Sequence, residues 1–413
     1  MRHFILTLFV LFLFDAHGQS LSEYLQTAAE NNPGLKAQYL EFEAALQKVD
    51  QVNTLPDPSL SFGYFISPVE TRVGPQRAKL SLSQMFPWFG TLKARGDAAT
   101  LVADAKFQEF VNSKNVLFLN VKKAYYPLYE LNEHIRWQQE NLEILKTYKA
   151  LATTSFSNGK GSMADVIRVD IMIDNAETSI QILNDQIRPL EIAFNRLLNQ
   201  SDSLKVNIES DNYQLMQYSK MDFDSLLAAH PMLKTLDLKI QSTQAQEELA
   251  RKNGLPQIGV GLDYVFVDER SDMNVEDNGK NVFMPMVTMT LPIFRKKYNS
   301  SVKEMQLQQE ALSMRKTDQF NQLVSSYETT WFEMEKAKQL IDLYDEQVIK
   351  TRQAIDLLHT AYSNSGKDFE EVLRMQQQLL QYEMARATAV KNYLNSTGQL
   401  DYLTSKSEFD EEK

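Results

Sequence analysis

The chain has 413 residues, no cysteine, 43% hydrophobic residues and a formal net charge of −11. The missing cysteine excludes disulfides, thiolate metal sites and a lipidated N-terminal cysteine, and the acidic balance argues against nucleic acid as a partner. With 23% charged residues and a mean hydropathy of −0.37, a bundle of membrane helices is excluded, but a membrane β-barrel is not, because only alternate residues of a few strands need be apolar.

Residues 1–18 read as a secretory signal: Arg2, an apolar core from Phe4 to Phe14, and a small-x-small site at Ala16-His17-Gly18. Ser20-Leu21-Ser22-Glu23 is a capping box that opens a helix running to about Asn53, with a break at Asn32-Pro33-Gly34. Leu55-Pro56 then ends the helical pattern, because the residue before proline is pushed out of the α region. A strand is expected near 58–66, with Leu60, Phe62, Tyr64 and Ile66 on one face and Ser59, Ser61 and Gly63 on the other. Its partner near 77–86 alternates Leu80 and Leu82 with Lys79, Ser81 and Ser83, and ends in Phe86-Pro87-Trp88-Phe89-Gly90, an aromatic cluster that suits either a membrane interface or an aromatic core plug.

From Thr91 to about Phe156 there is almost no turn signal; Pro127 should kink the helix locally. Leu117, Val121, Ala124, Leu128, Leu131 and Ile135 alternate in steps of four and three, which is coiled-coil spacing. A helix of about 65 residues would reach roughly 100 Å, more than a compact domain needs. Ser157-Asn158-Gly159-Lys160-Gly161 makes a tight turn, and Ser162-x-x-Asp165 caps the returning helix, which closes a helical hairpin over about 91–198.

The pattern then repeats. Residues 19–200 form a first repeat, 201–220 a polar connector, 221–403 a second repeat and 404–413 an acidic tail. Strands are expected near 257–267 and 282–291. In them Ile258, Val260, Leu262, Tyr264 and Phe266 oppose Gly259, Gly261 and Asp263, and Val287, Met289 and Leu291 alternate with Thr288 and Thr290. A second helical hairpin covers about 297–402. Tyr362-Ser363-Asn364-Ser365-Gly366 echoes the first turn, and Asp368-x-x-Glu371 echoes Ser162-x-x-Asp165.

Four spanning strands cannot close a barrel, which takes at least eight, and open edges are not tolerated in lipid. If the strands span, several chains share one barrel, with the small and polar faces lining a wet lumen. Two chains give eight strands, three give twelve and four give sixteen; eight leave an interior just filled by side chains, whereas more can leave a passage.

Over residues 20–403 the chain resembles the TolC-like outer membrane efflux proteins. The resemblance rests on the twofold helix–strand–strand–helix repeat, the Pro-aromatic junctions Phe86-Pro87-Trp88-Phe89 and Leu291-Pro292-Ile293-Phe294, and the two turn-and-cap segments. It implies a mainly α chain that contributes four strands to a trimeric, twelve-stranded β-barrel in the outer membrane and helices to a periplasmic α-helical barrel. It also implies a homotrimer that meets outer membrane lipid, a periplasmic adaptor and an inner membrane pump or ABC transporter, and so forms the exit duct of a tripartite efflux system for small toxic compounds. An exported coiled-coil scaffold or a periplasmic adaptor with no pore is the alternative. Many members carry a lipidated cysteine; this chain has none.

No enzyme constellation, cofactor motif or metal set stands out, since the five histidines are scattered. Met284, Met286 and Met289 read as lipid-facing and space-filling rather than as soft-metal ligands. In related channels acidic side chains near the second turn ring the periplasmic aperture. Glu371 falls at one such position and Arg374 at the next, with Asp368 and Glu370 nearby. Asp165 and Glu371 read equally well as third-position capping acids, and Arg168 or Arg374 as partners of a neighbouring acid. Asn158, Gly159, Asn364 and Gly366 at the turns are the candidate adaptor contacts.

Overall fold

The computed structural model describes residues 20–208, 218, 220, 230–365 and 369–405. The elements run α1 (Leu21–Asn31), α2 (Pro33–Val52), β1 (Ser59–Val69), β2 (Gln76–Phe86), α3 (Thr91–Ser157) and α4 (Met163–Leu197). They continue with α5 (Pro231–Asn253), β3 (Gln257–Val267), β4 (Val282–Thr290), α6 (Arg295–Ser365) and α7 (Phe369–Thr404). The chain is thus mainly helical with four strands among its described residues. The expected signal at 1–18, half of the connector and the tail beyond Ser405 fall outside the described residues.

Local chemistry sets the boundaries. Ser20 caps α1 and Ser162 caps α4, each in a reciprocal box with the acid three residues on. Asn32 separates α1 from α2 in an extended conformation. Its side-chain amide accepts from the Leu35 N–H and donates to the Leu197 carbonyl at 2.9 Å, tying this corner to the end of α4. The proline at position 127 lies inside α3, and the helix runs through it as one element. The turn after α3 is closed by Gly159 at φ +71°, a conformation that favours glycine. The Lys160 N–H donates to the Ser155 carbonyl at 2.9 Å.

The chain packs as two compact units, and each takes segments from both sequence repeats. One comprises 1–36, 114–222 and 324–413; the other 37–113 and 223–323. In the first unit Tyr24, Tyr125 and Phe194 form a ring cluster with centroids 5.0–6.1 Å apart. A second apolar core lies beside the helical turns: Leu145, Tyr148, Ala152, Val166, Val169, Phe369, Val372 and Leu373.

The second unit holds an antiparallel sheet in the order β1-β2-β3-β4. Its helices approach closely where α3 offers small residues; Ala94, Ala98, Ala103 and Ala105 are buried, and the Ser242 hydroxyl donates to the Ala98 carbonyl at 3.2 Å. Glu109 on α3 joins Lys239 on α5 at 2.6 Å.

Candidate functional site

The sheet has two chemically different faces, and its register fixes which residues share each. Leu60 faces Leu82 and Phe62 faces Leu80 across β1 and β2; Leu80 faces Tyr264, and Val260 faces Val287. This side is apolar yet uncovered: Phe62 is 67% exposed, Ile66 93%, and Val287 78%. An apolar, solvent-exposed face of this extent needs a non-aqueous neighbour. On the other side Ser61 faces Ser81, Ser81 faces Asp263, and Asp263 faces Met284. Gly259, Asp263, Val265 and Val267 are buried there, while their neighbours Val260, Tyr264 and Phe266 are exposed. Met286 shares this inner face and Met289 the apolar one. The edge strands β1 and β4 each lack one neighbour within the chain.

The helical turns carry the remaining candidates. The Ser162 N–H donates to Asp165 Oδ2 at 3.3 Å, so Asp165 is first of all a capping acid. Arg168, one turn on, lies 3.7 Å from Asp165 and 3.1 Å from Glu370 of α7. It therefore bridges the opening turns of α4 and α7. Arg374 pairs with Glu371 one turn back on its own helix, and the paired carboxylate holds the guanidinium's pKa above its usual value. Asp368 and Gly366 lie outside the described residues, as does the side chain of Asn364. Asn158 and Gly159 are exposed.

Three further ties beside the turns have no local sequence signal. Tyr148 on α3 meets His359 on α6, hydroxyl to Nε2, at 2.8 Å. Burial pushes the tyrosine pKa up to about 12, so it stays a neutral hydroxyl. Gln376 on α7 donates to Asn141 on α3 at 3.1 Å. Arg352 on α6 donates to Glu383 on α7 at 2.6 Å; burial raises the Glu383 pKa and the arginine counteracts it. These residues line one groove of about 520 Å³ between α3, α6 and α7. A hydrophobic repeat says which face of a helix is covered, but not which polar group across the interface answers another. Lys79 on β2 likewise forms an ion pair with Asp263 on β3, although each was legible only as a polar residue on the wet face.

Among the described residues no cluster of His, Asp or Glu has the makings of a metal site, and no helix is long and apolar enough to cross a membrane. The profile described as "Outer membrane efflux protein" matches residues 24–200 and 223–405. The chain belongs to the outer membrane efflux protein family. The two matched stretches are the two halves of the repeat, and the family is one of transport proteins, which sets aside the pore-less scaffold or adaptor. A comparison with curated proteins finds no match. Among solved structures, the chain is similar to the outer-membrane channel OprN, with 16% identity, a TM-score of 0.73, and coverage of 94% of this chain and 90% of that one. It is similar to VceC from Vibrio cholerae at 15% identity and a TM-score of 0.73, covering 93% and 95%. It is also similar to CusC at 14% identity and a TM-score of 0.75, covering 94% and 92%. At these identities the likeness concerns the fold, and it extends over nearly the whole of each chain compared.

Proposed function

We propose that three copies of this chain close one twelve-stranded barrel in the outer membrane and form the exit duct of a tripartite efflux system, through which small toxic compounds leave. The observation that carries this reading is the sheet: its exposed face is apolar and both its edges are open. In lipid, open edges cost several kcal/mol for each unsatisfied backbone group, so each β1 pairs with the β4 of another copy. Four strands from each of three chains leave a bore, where eight strands would be filled by side chains.

The helices stand in the periplasm, with residues 1–18 removed on export and no lipid anchor on a cysteine. Asn158, Gly159, Asn364 and Gly366 are the proposed contacts for a periplasmic adaptor, which couples the duct to an inner membrane pump or ABC transporter. Asp165, Arg168, Asp368, Glu370, Glu371 and Arg374 are the proposed gate. Repetition around a threefold axis concentrates their charge in a narrow opening. The test is reconstitution of the purified mature protein into planar bilayers, with its mass measured in detergent. A trimer that conducts in discrete steps is expected; a water-soluble monomer that leaves bilayers silent would overturn the reading.

A further inference from the structure

The four strands contain only three charged residues, Arg77, Lys79 and Asp263. Arg77 sits at the irregularity in the β2–β3 register and reaches Asp268, beyond the end of β3. Lys79 and Asp263 differ from it. Both lie within regular pairing, two residues apart in register, on the face opposite the exposed apolar side. The Asp263 side chain is 0% exposed and that of Lys79 37%, so the acid is enclosed and the ammonium reaches toward open space.

The surroundings make room for this pair. Gly63 stands directly across from Lys79 on β1 and Gly261 lies beside Asp263, so neither position adds a side chain. A Cβ on Gly259 would collide with the Met85 sulfur, so the wall here is already filled by its neighbours. Elsewhere the same face carries Ser, Thr, Gly and Met, with Val265, Val267 and Val282 gathered toward one end. Water reaches the ammonium end of the pair but not the carboxylate, and an apolar pair of similar size would pack as well or better. Position, not stability, distinguishes these two charges.

We infer that the Lys79–Asp263 pair balances the charge of the bore wall at this level, so that neither cations nor anions are favoured there. The inference rests on the proposed pore, with this face turned inward. Three copies place three ammonium groups and three carboxylates at one level of the wall, and rings of charged side chains are what discriminate ions in channels. While paired, the two charges cancel. Asp263→Asn leaves three uncompensated ammonium groups and favours anions. Lys79→Gln leaves three carboxylates and favours cations.

The test is the reversal potential of the full-length trimer in a planar bilayer under a KCl gradient. The two single variants should shift the K⁺/Cl⁻ permeability ratio in opposite directions, each by roughly twofold or more. The exchanged double variant, Lys79→Asp with Asp263→Lys, should return it to the wild-type value. If one single variant fails to insert, the other still decides, because the direction of its shift is fixed in advance by the charge it leaves behind. Conducting trimers whose permeability ratio moves in neither single variant, or an exchanged variant that conducts with altered selectivity, would overturn the inference. A wild-type protein that does not conduct would overturn the pore reading beneath it.

Discussion

Arg168 on α4 and Glu370 on α7 lie 3.1 Å apart, Nη1 to Oε2, and so tie together the opening turns of two helices that belong to different halves of the sequence. Glu371 and Arg374 form a pair within one helix. The distinction matters for opening, since only the first pair must break for α4 and α7 to separate.

Arg168→Ala is therefore expected to raise open probability more than Glu371→Ala or Arg374→Ala. Both partners are substantially exposed, so each pair contributes only about 0.5 kcal/mol. Three pairs in a trimer amount to about 1.5 kcal/mol, roughly a tenfold bias toward the closed state. Single-channel recordings at about 0.1 M salt measure it, and the difference should shrink at about 1 M, where the Debye length falls to about 3 Å. Equal effects from all three substitutions would place the tie elsewhere.

The sequence made the fold class legible because its signals are local. Period-two runs bounded by Leu55-Pro56 and Leu255-Pro256 read as strands, and long stretches without turn residues read as helices. The capping boxes at Ser20 and Ser162 were equally local and are present. What connects the helices was not legible. Arg168 could be read as a partner for a nearby acid, but its reach to Glu370 depends on how two distant turns meet. Tyr148 with His359 and Lys79 with Asp263 are hidden for the same reason. Nor did the repeat reveal the packing units, each of which is assembled from pieces of both halves.

Tyr148→Phe should cost about 1 kcal/mol of stability per copy. The substitution deletes the hydroxyl that meets His359 and leaves the ring in the core beside Val169 and Val372. Thermal unfolding in detergent reads the loss. Tyr148→Ala should cost several times more, about 3–5 kcal/mol by analogy with other aromatic truncations, because it also opens a cavity.

His230 predicts a pH dependence. It caps α5 by accepting the Met232 N–H on Nδ1 at 3.2 Å, which requires an unprotonated nitrogen. Burial lowers its pKa from 6.5 to about 4. The folded state thus binds this proton less readily than the unfolded state, and stability falls as pH drops through 6.5 toward 4. By pH 5 the loss amounts to about 2 kcal/mol per copy. The melting temperature should decline over this window in wild type. It should stay flatter in His230→Asn, which keeps an acceptor at the cap without a titrating group. Parallel profiles for the two proteins would remove His230 as the cause.

The two faces of the sheet make the sharpest contrast. Phe62 and Ser61 are neighbours on β1 that point to opposite sides, the first 67% exposed on the apolar face. A lysine facing lipid near the midplane of a barrel costs about 2–4 kcal/mol, whereas lumen positions tolerate it. Phe62→Lys repeats that cost in each of three copies, so assembled trimer in the outer membrane fraction should fall steeply. Ser61→Lys should assemble normally and instead alter conductance, because its ammonium enters the bore. Fractionation followed by unheated gel electrophoresis separates these outcomes. The reverse pattern, with Ser61→Lys lost and Phe62→Lys assembled, would mean that the apolar face is covered by protein and the polar face is not the lumen.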